Sequence, residues 1–149
     1  MTNQTAIEPV RKQIAVASDV ETAFRTFTED MGSWWPVETH SITGNPETVV
    51  FEQETGGRVF ERARDGKECD WATILIFEPP HRVVLEWKVN SAAPPTEVEV
   101  RFMQDGDGTL VDLEHRGWER YEGGGAEERG SYDSGWTGVL EKFRDASSG

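Results

Sequence analysis

Val111, Leu113 and His115 alternate with Asp112, Glu114 and Arg116, the period-two pattern of a strand with one buried face. This predicts a strand over Thr109 to Trp118. Further on, Tyr132, Trp136, Val139, Leu140 and Phe143 follow the spacing i, i+4, i+7, i+8 and i+11. That spacing makes one apolar helical stripe centred on Trp136. Gly123-Gly124-Gly125 between them predicts a flexible loop. A helix face this aromatic needs a broad apolar partner, and the strands before it are the candidate.

The rest of the chain supplies those strands. Val10 to Ala17 alternates, with Ile14 and Val16 against Lys12 and Gln13, and predicts a first strand. Ser18-Asp-Val-Glu21 matches a capping box, with Ser18 as the cap. Val20, Ala23, Phe24, Phe27 and Met31 then share one helical face, and Gly32 is the expected stop. Pro36 disfavours helix at Trp35, so Ser33 to Pro36 predicts an irregular corner with two exposed or half-buried indoles. The segment to Pro46 reads as loop. Strands are expected at Thr48–Gln53, Arg58–Arg64, Asp70–Phe77, Arg82–Val89 and Thr96–Met103. Turns fall at Gly56-Gly57, Asp65-Gly66, Pro79-Pro80 and Asp105 to Gly108, with a loop at Ser91–Pro95. On the sixth strand Val98, Val100 and Phe102 face inward and Glu97, Glu99 and Arg101 outward. Neighbouring strands with hairpin links imply an antiparallel sheet, hence an α+β class.

Length and charge narrow the reading. The 149 residues predict one domain, ordered from about Glu8 to Asp145, with Met1 to Glu8 loose and Ala146 to Gly149 frayed. A chain this long buries roughly 68–70% of its unfolded surface, enough for a core without staples. The formal net charge of −13 sets the chain against phosphate backbones, so nucleic acid is not an expected partner. Ile74 to Phe77 is the longest aliphatic and aromatic run, far short of a membrane span of ~20 residues. Met1 to Thr5 lacks the pattern of a secretion signal, and Cys69 has no cysteine to pair with, so a cytoplasmic location is expected. Six tryptophans in this length imply either an aromatic core or an aromatic-lined pocket.

Several stretches together resemble the helix-grip fold of the START-like, or SRPBCC, superfamily. They are Phe24 to Phe27 with Trp34-Trp35-Pro36, Gly56 to Arg62 with Asp65-Gly66, and Glu78-Pro79-Pro80 with Trp87. Val98 to Phe102, Gly106 to Thr109, Leu113 to Trp118 and Gly135-Trp136 with Leu140 complete the set. Within the superfamily the chain resembles the subgroup named after the activator of the heat-shock protein 90 ATPase. Ala72 departs from the pattern, where relatives often carry glycine after the tryptophan. The resemblance implies about seven antiparallel strands curved around a long C-terminal helix, closed at one end by two short helices. It also implies a cavity that often holds an apolar small molecule. Members bind lipids or hormones, cyclise polyketides or activate chaperones, so the fold does not fix the function. The eukaryotic chaperone activator is similar only over its C-terminal part, so a chaperone role is not carried over.

The candidate ligand-binding residues are Trp34, Trp35, Phe60, Trp71, Leu85 and Trp87, with Val100, Leu113, His115, Tyr132, Trp136 and Leu140. Core packing is the competing reading for each. His115, in phase with Val111 and Leu113, is either a hydrogen-bonded core histidine or a polar anchor or general base, and is the one catalytic candidate. Gly135 borders the helical stripe, where a missing side chain leaves room for a ligand or allows close packing, whereas Gly138 lies opposite. Cys69 has no basic neighbour to activate it. His40, His81, His115 and Cys69 lack metal-ligand spacing, and Asp105 to Gly108 is too short for a calcium loop, so neither metal nor cofactor is expected. Arg58, Arg62 and Arg101 are either a cationic patch for an acidic ligand or, the favoured reading among so many acidic residues, partners in surface ion pairs. The first expectation is a binding protein for an apolar or aromatic small molecule. The alternatives are a cyclase- or dehydratase-type enzyme using the same cavity, and a protein-interaction or chaperone-regulating module acting through Trp34, Trp35 and the glycine loop. Monomer and homodimer both stay open.

Overall fold

The structure, a computed structural model, describes residues 8–36, 46–88, 95–118 and 125–147, with side chains in the last segment from Arg129 onward. The expectations for Met1 to Ile7, His40, Gly44-Asn45, Val89, Ser91 to Pro94, Gly123-Gly124 and Ser148-Gly149 lie outside these residues. The elements are β1 (Val10–Val16), α1 (Val20–Phe27), α2 (Met31–Trp34), β2 (Thr48–Phe51) and β3 (Arg58–Arg62). They continue as β4 (Glu68–Glu78), β5 (Arg82–Trp87), β6 (Thr96–Asp105), β7 (Gly108–Arg116) and α3 (Gly125–Ser147).

All seven strands join one antiparallel sheet in the order β1-β7-β6-β5-β4-β3-β2. The two short helices and α3 cover one face, which is the helix-grip arrangement expected. Alternation decides that face: Val98, Val100 and Phe102 on β6 and Val111, Leu113 and His115 on β7 are buried against it. Burying a side chain such as Leu113 is worth about 1.5–3 kcal/mol. At the β1 edge α3 is tied down by polar contacts. Lys12 Nζ meets Asp133 Oδ1 at 2.7 Å, and an Arg129 guanidinium N–H donates to the Pro9 carbonyl at 3.0 Å.

Several local expectations need correction. Asp19, not Ser18, caps α1: its Oδ1 accepts from the Thr22 amide at 2.8 Å. Ser18 is held otherwise, its carbonyl accepting from Thr109 Oγ1 at 2.9 Å, and a carboxylate suits a helix N-terminus. The single helix expected through Met31 is two. Thr28 closes α1, its hydroxyl bonding the Phe24 carbonyl at 2.9 Å, the local side-chain competition that favours helix ends. Met31 then opens α2, so Gly32 lies inside a helix rather than ending one. Gly125 opens α3 instead of sitting in a loop, and Ala146 and Ser147 are helical rather than frayed.

Trp71 occupies a β-bulge. Val59 pairs with Ala72 and Phe60 with Asp70, which leaves Trp71 as the extra residue on β4. The bend therefore forms with alanine, fully buried, at position 72. Glu99 points outward as expected but is not solvated. Arg82 Nε, Arg101 Nε and Arg116 each approach its carboxylate at 2.8 Å. Burial pushes this carboxyl up, and the three guanidinium hydrogen bonds outweigh that and hold it below its ordinary value.

Candidate functional site

The helix stripe meets the inner face of the sheet in a cluster of aromatic rings. At one end stands His115, fully buried on β7. Trp136 Nε1 donates to its Nδ1 at 3.0 Å, and its Nε2 lies 2.7 Å from Thr96 Oγ1. An indole nitrogen only donates, so Nδ1 must be the acceptor and the imidazole proton sits on Nε2, facing Thr96. Burial drives the imidazole pKa down to about 3, so His115 is neutral at physiological pH. Gly117, directly after β7, has a φ of +102°, a left-handed conformation open to glycine. Next to it, Trp118 donates its indole N–H to the His115 carbonyl at 2.9 Å. The rings of Trp118 and Tyr132 pack on the imidazole with centroids 4.3 and 4.8 Å away.

At the other end stand Trp35, Trp71 and Trp87. The Trp35 ring lies 5.0 Å from Trp71, 6.2 Å from Trp87 and 5.9 Å from Trp136. Trp71 donates its indole N–H to Glu61 Oε1 at 2.8 Å. Trp87 links the two ends, its indole N–H reaching the Tyr132 hydroxyl at 3.3 Å. Trp34 donates to the Thr26 carbonyl at 2.7 Å, folding α2 back onto α1.

Eleven of the twelve candidate ligand-binding residues come together on this inner face, with Tyr132 half-buried and the others buried. Phe60 does not. It alternates with Val59 and Glu61 and lies on the opposite face, beneath the guanidinium of Arg58 at 4.1 Å. Trp34 and Trp35 are 8% and 7% exposed, so the expected exposed corner is interior. Arg58 and Arg62 pair with Glu68, and Arg101 with Glu99, as surface ion pairs were expected to form. Residue-type reasoning missed Glu61 and Thr96. Both were detectable by phase, Glu61 with Val59 and Thr96 with Val98. Among the described residues no three histidine, cysteine or carboxylate groups gather as metal ligands, and no helix is long and apolar enough to cross a membrane.

Comparison with known proteins places this architecture. The family model for Activator of Hsp90 ATPase homolog 1-like protein matches residues 17–147. The chain belongs to that family. Its fold is similar to the solution structure of the Aha1 dimer from Colwellia psychrerythraea, at 16% identity and TM-score 0.70, covering 95% of this chain and 97% of that one. It is also similar to CalC from Micromonospora echinospora, described as a self-sacrificing resistance protein. Identity there is 29% and the TM-score 0.69, over 93% of this chain and 92% of that one. Txn09, an anthrahydroquino-gama-pyrone synthase solved in complex with SUM, matches at 28% identity and TM-score 0.60, over 97% and 99% of the two chains. No curated protein sequence matches.

Proposed function

We propose that this family member binds an apolar or aromatic small molecule between the sheet and α3, in the cytoplasm. The observation that carries the reading is the interior itself. Trp35, Trp71, Trp87 and Trp136 pack at tilted and edge-on angles, with Glu61, Thr96, His115 and Tyr132 among them. Ligand sites characteristically combine large apolar walls with a few placed polar groups. The likeness to a resistance protein and to a synthase solved in complex with SUM, each over more than nine-tenths of both chains, supports it.

The cyclase-type alternative needs His115 to take up a proton. Both ring nitrogens are engaged and burial holds the imidazole neutral, so His115 serves in this arrangement as an interior pillar. The interaction-module alternative relied on exposed indoles at Trp34 and Trp35, and both rings point inward.

Native mass spectrometry against the denatured mass, joined to titration of indole emission with polycyclic aromatic probes, tests the binding reading. A mass released on denaturation or a saturable emission change is expected. Absence of both signals would overturn it.

A further inference from the structure

One side of α1 borders a groove that α3 does not share. Glu21, Phe24, Arg25 and Thr28 follow the spacing i, i+3, i+4 and i+7, so they fall on one side of the helix. Facing them are Phe77, near the end of β4, and the Pro79-Pro80 turn. Phe24 and Phe77 meet with ring centroids 5.5 Å apart, which joins the helix to this end of β4. The open groove between them has a volume of about 330 Å³, and none of its walls belongs to α3. Small-molecule sites begin at about that size.

The chemistry of the groove is one-sided. Phe77 is half-buried, so part of its ring is open to it. The prolines have no amide hydrogen, so their wall offers ring methylenes and no donor. The hydroxyl of Thr28 donates to the Phe24 carbonyl at 2.9 Å, and the side-chain amide of Gln53 donates to the Phe51 carbonyl at 3.0 Å. Arg25 is the cation of the rim and lies 3.9 Å from Glu29. Glu21 is exposed and forms no ion pair among the described residues. It also borders a second hollow lined by Asp19 and Asp107, so further negative charge lies on that side. The rim thus holds two carboxylates to one guanidinium, in a chain of net charge −13. An anion meets repulsion and few donors there. A cation with an apolar body meets a carboxylate without an ion partner, beside aromatic rings that attract positive charge.

We propose that this groove binds organic cations. A small apolar ring lies on Phe77 and the prolines, and its ammonium group faces Glu21. The site is distinct from the space between the sheet and α3, and it stands whether or not that space holds a ligand.

Phenethylammonium, phenethyl alcohol and hydrocinnamate share one ring and differ in charge. Titrating each into the full chain at low salt, followed by amide-resolved NMR, both locates and measures binding. The ammonium should shift the amides of Phe24, Thr28, Gln53 and Phe77 saturably. It should bind about fivefold or more tighter than the alcohol, with hydrocinnamate weakest. Glu21→Gln should cut the preference for the ammonium by about twofold or more, and Arg25→Gln, which removes the opposing cation, should raise it. Glu86→Gln makes the same change of charge on the other face of the sheet and should leave the preference unaltered. No saturable shift at the groove, a preference unaltered by Glu21→Gln, or an equal loss in Glu86→Gln overturns the proposal. Each of these leaves the binding reading of the sheet–α3 interior standing, since indole emission and native mass report on that space.

Discussion

The indole of Trp136 donates to Nδ1 of His115 at 3.0 Å, and this bond joins the long helix to the second strand of the sheet. It also selects a tautomer. With Nδ1 accepting, the proton is on Nε2 and points to Thr96 Oγ1 at 2.7 Å. Nitrogen-resolved NMR of the His115 ring should show the Nε2–H form alone at neutral pH. Trp136→Phe keeps a ring in the stripe and removes the donor. It should admit the other tautomer and cost about 1–2 kcal/mol in urea unfolding. A mixed tautomer population in the unaltered protein would contradict the assigned bond.

The same burial makes His115 a source of acid sensitivity. Its folded pKa lies near 3, below the unfolded value of 6.5, so the unfolded chain binds the proton more readily. The stabilisation is therefore fully present above pH 6.5 and is lost as pH falls below it. The slope approaches about 1.4 kcal/mol per pH unit until the folded pKa is reached. Carboxylates held low by partners, such as Glu99, lose their contribution only at more acidic pH. Unfolding free energy between pH 6.5 and about 4.5 should fall steeply in the native chain. In His115→Gln that fall should be shallower, and equal slopes would remove His115 as its source.

Period-two alternation was enough to place Val98, Val100, Phe102, Leu113 and His115, because strand pairing makes the inner face a matter of phase alone. The α3 stripe was legible for the same reason at period 3.6. Phase was also available for Phe60 and Glu61, but hydrophobicity outweighed it. The aromatic residue was assigned inward and the acid ignored, whereas the fold does the reverse. Trp71 shows a different limit. A bulge breaks phase by one residue, and no residue type in Cys69 to Ala72 marks where that happens. Pro36 foretold a corner but not its direction, since burial of Trp34 and Trp35 depends on rings contributed by β4, β5 and α3.

Glu99 holds three arginines that come from three strands, β5, β6 and β7. Removing it leaves those guanidinium groups facing one another, which costs more than losing exposed pairs. The arginines are 31–55% exposed, so water screens part of the effect. Glu99→Ala should lower stability by about 1–3 kcal/mol, with the loss shrinking in high salt. Glu86→Ala, on the same face of the sheet but outside this network, should change stability by no more than about 0.5 kcal/mol. Equal effects for the two variants in urea unfolding would show that Glu99 is not a hub.

Two glycines should respond in opposite directions to the same substitution. Gly108 opens β7 where the chain passes close to β1, and a Cβ there would collide with the Val16 carbonyl oxygen. That neighbour is strand backbone, paired between β1 and β7, so it cannot swing aside as a flexible side chain would. Gly108→Ala should destabilise the protein by about 2 kcal/mol or more. Gly138 lies on the exposed face of α3, and a Cβ there meets nothing within 4 Å. Gly138→Ala should raise stability by about 0.5–1 kcal/mol through helix propensity and reduced freedom of the unfolded chain. Thermal melts of the two single variants decide the matter. A neutral Gly108→Ala would mean the β1–β7 approach is looser than the structure shows. A destabilising Gly138→Ala would mean that face of α3 is covered in solution.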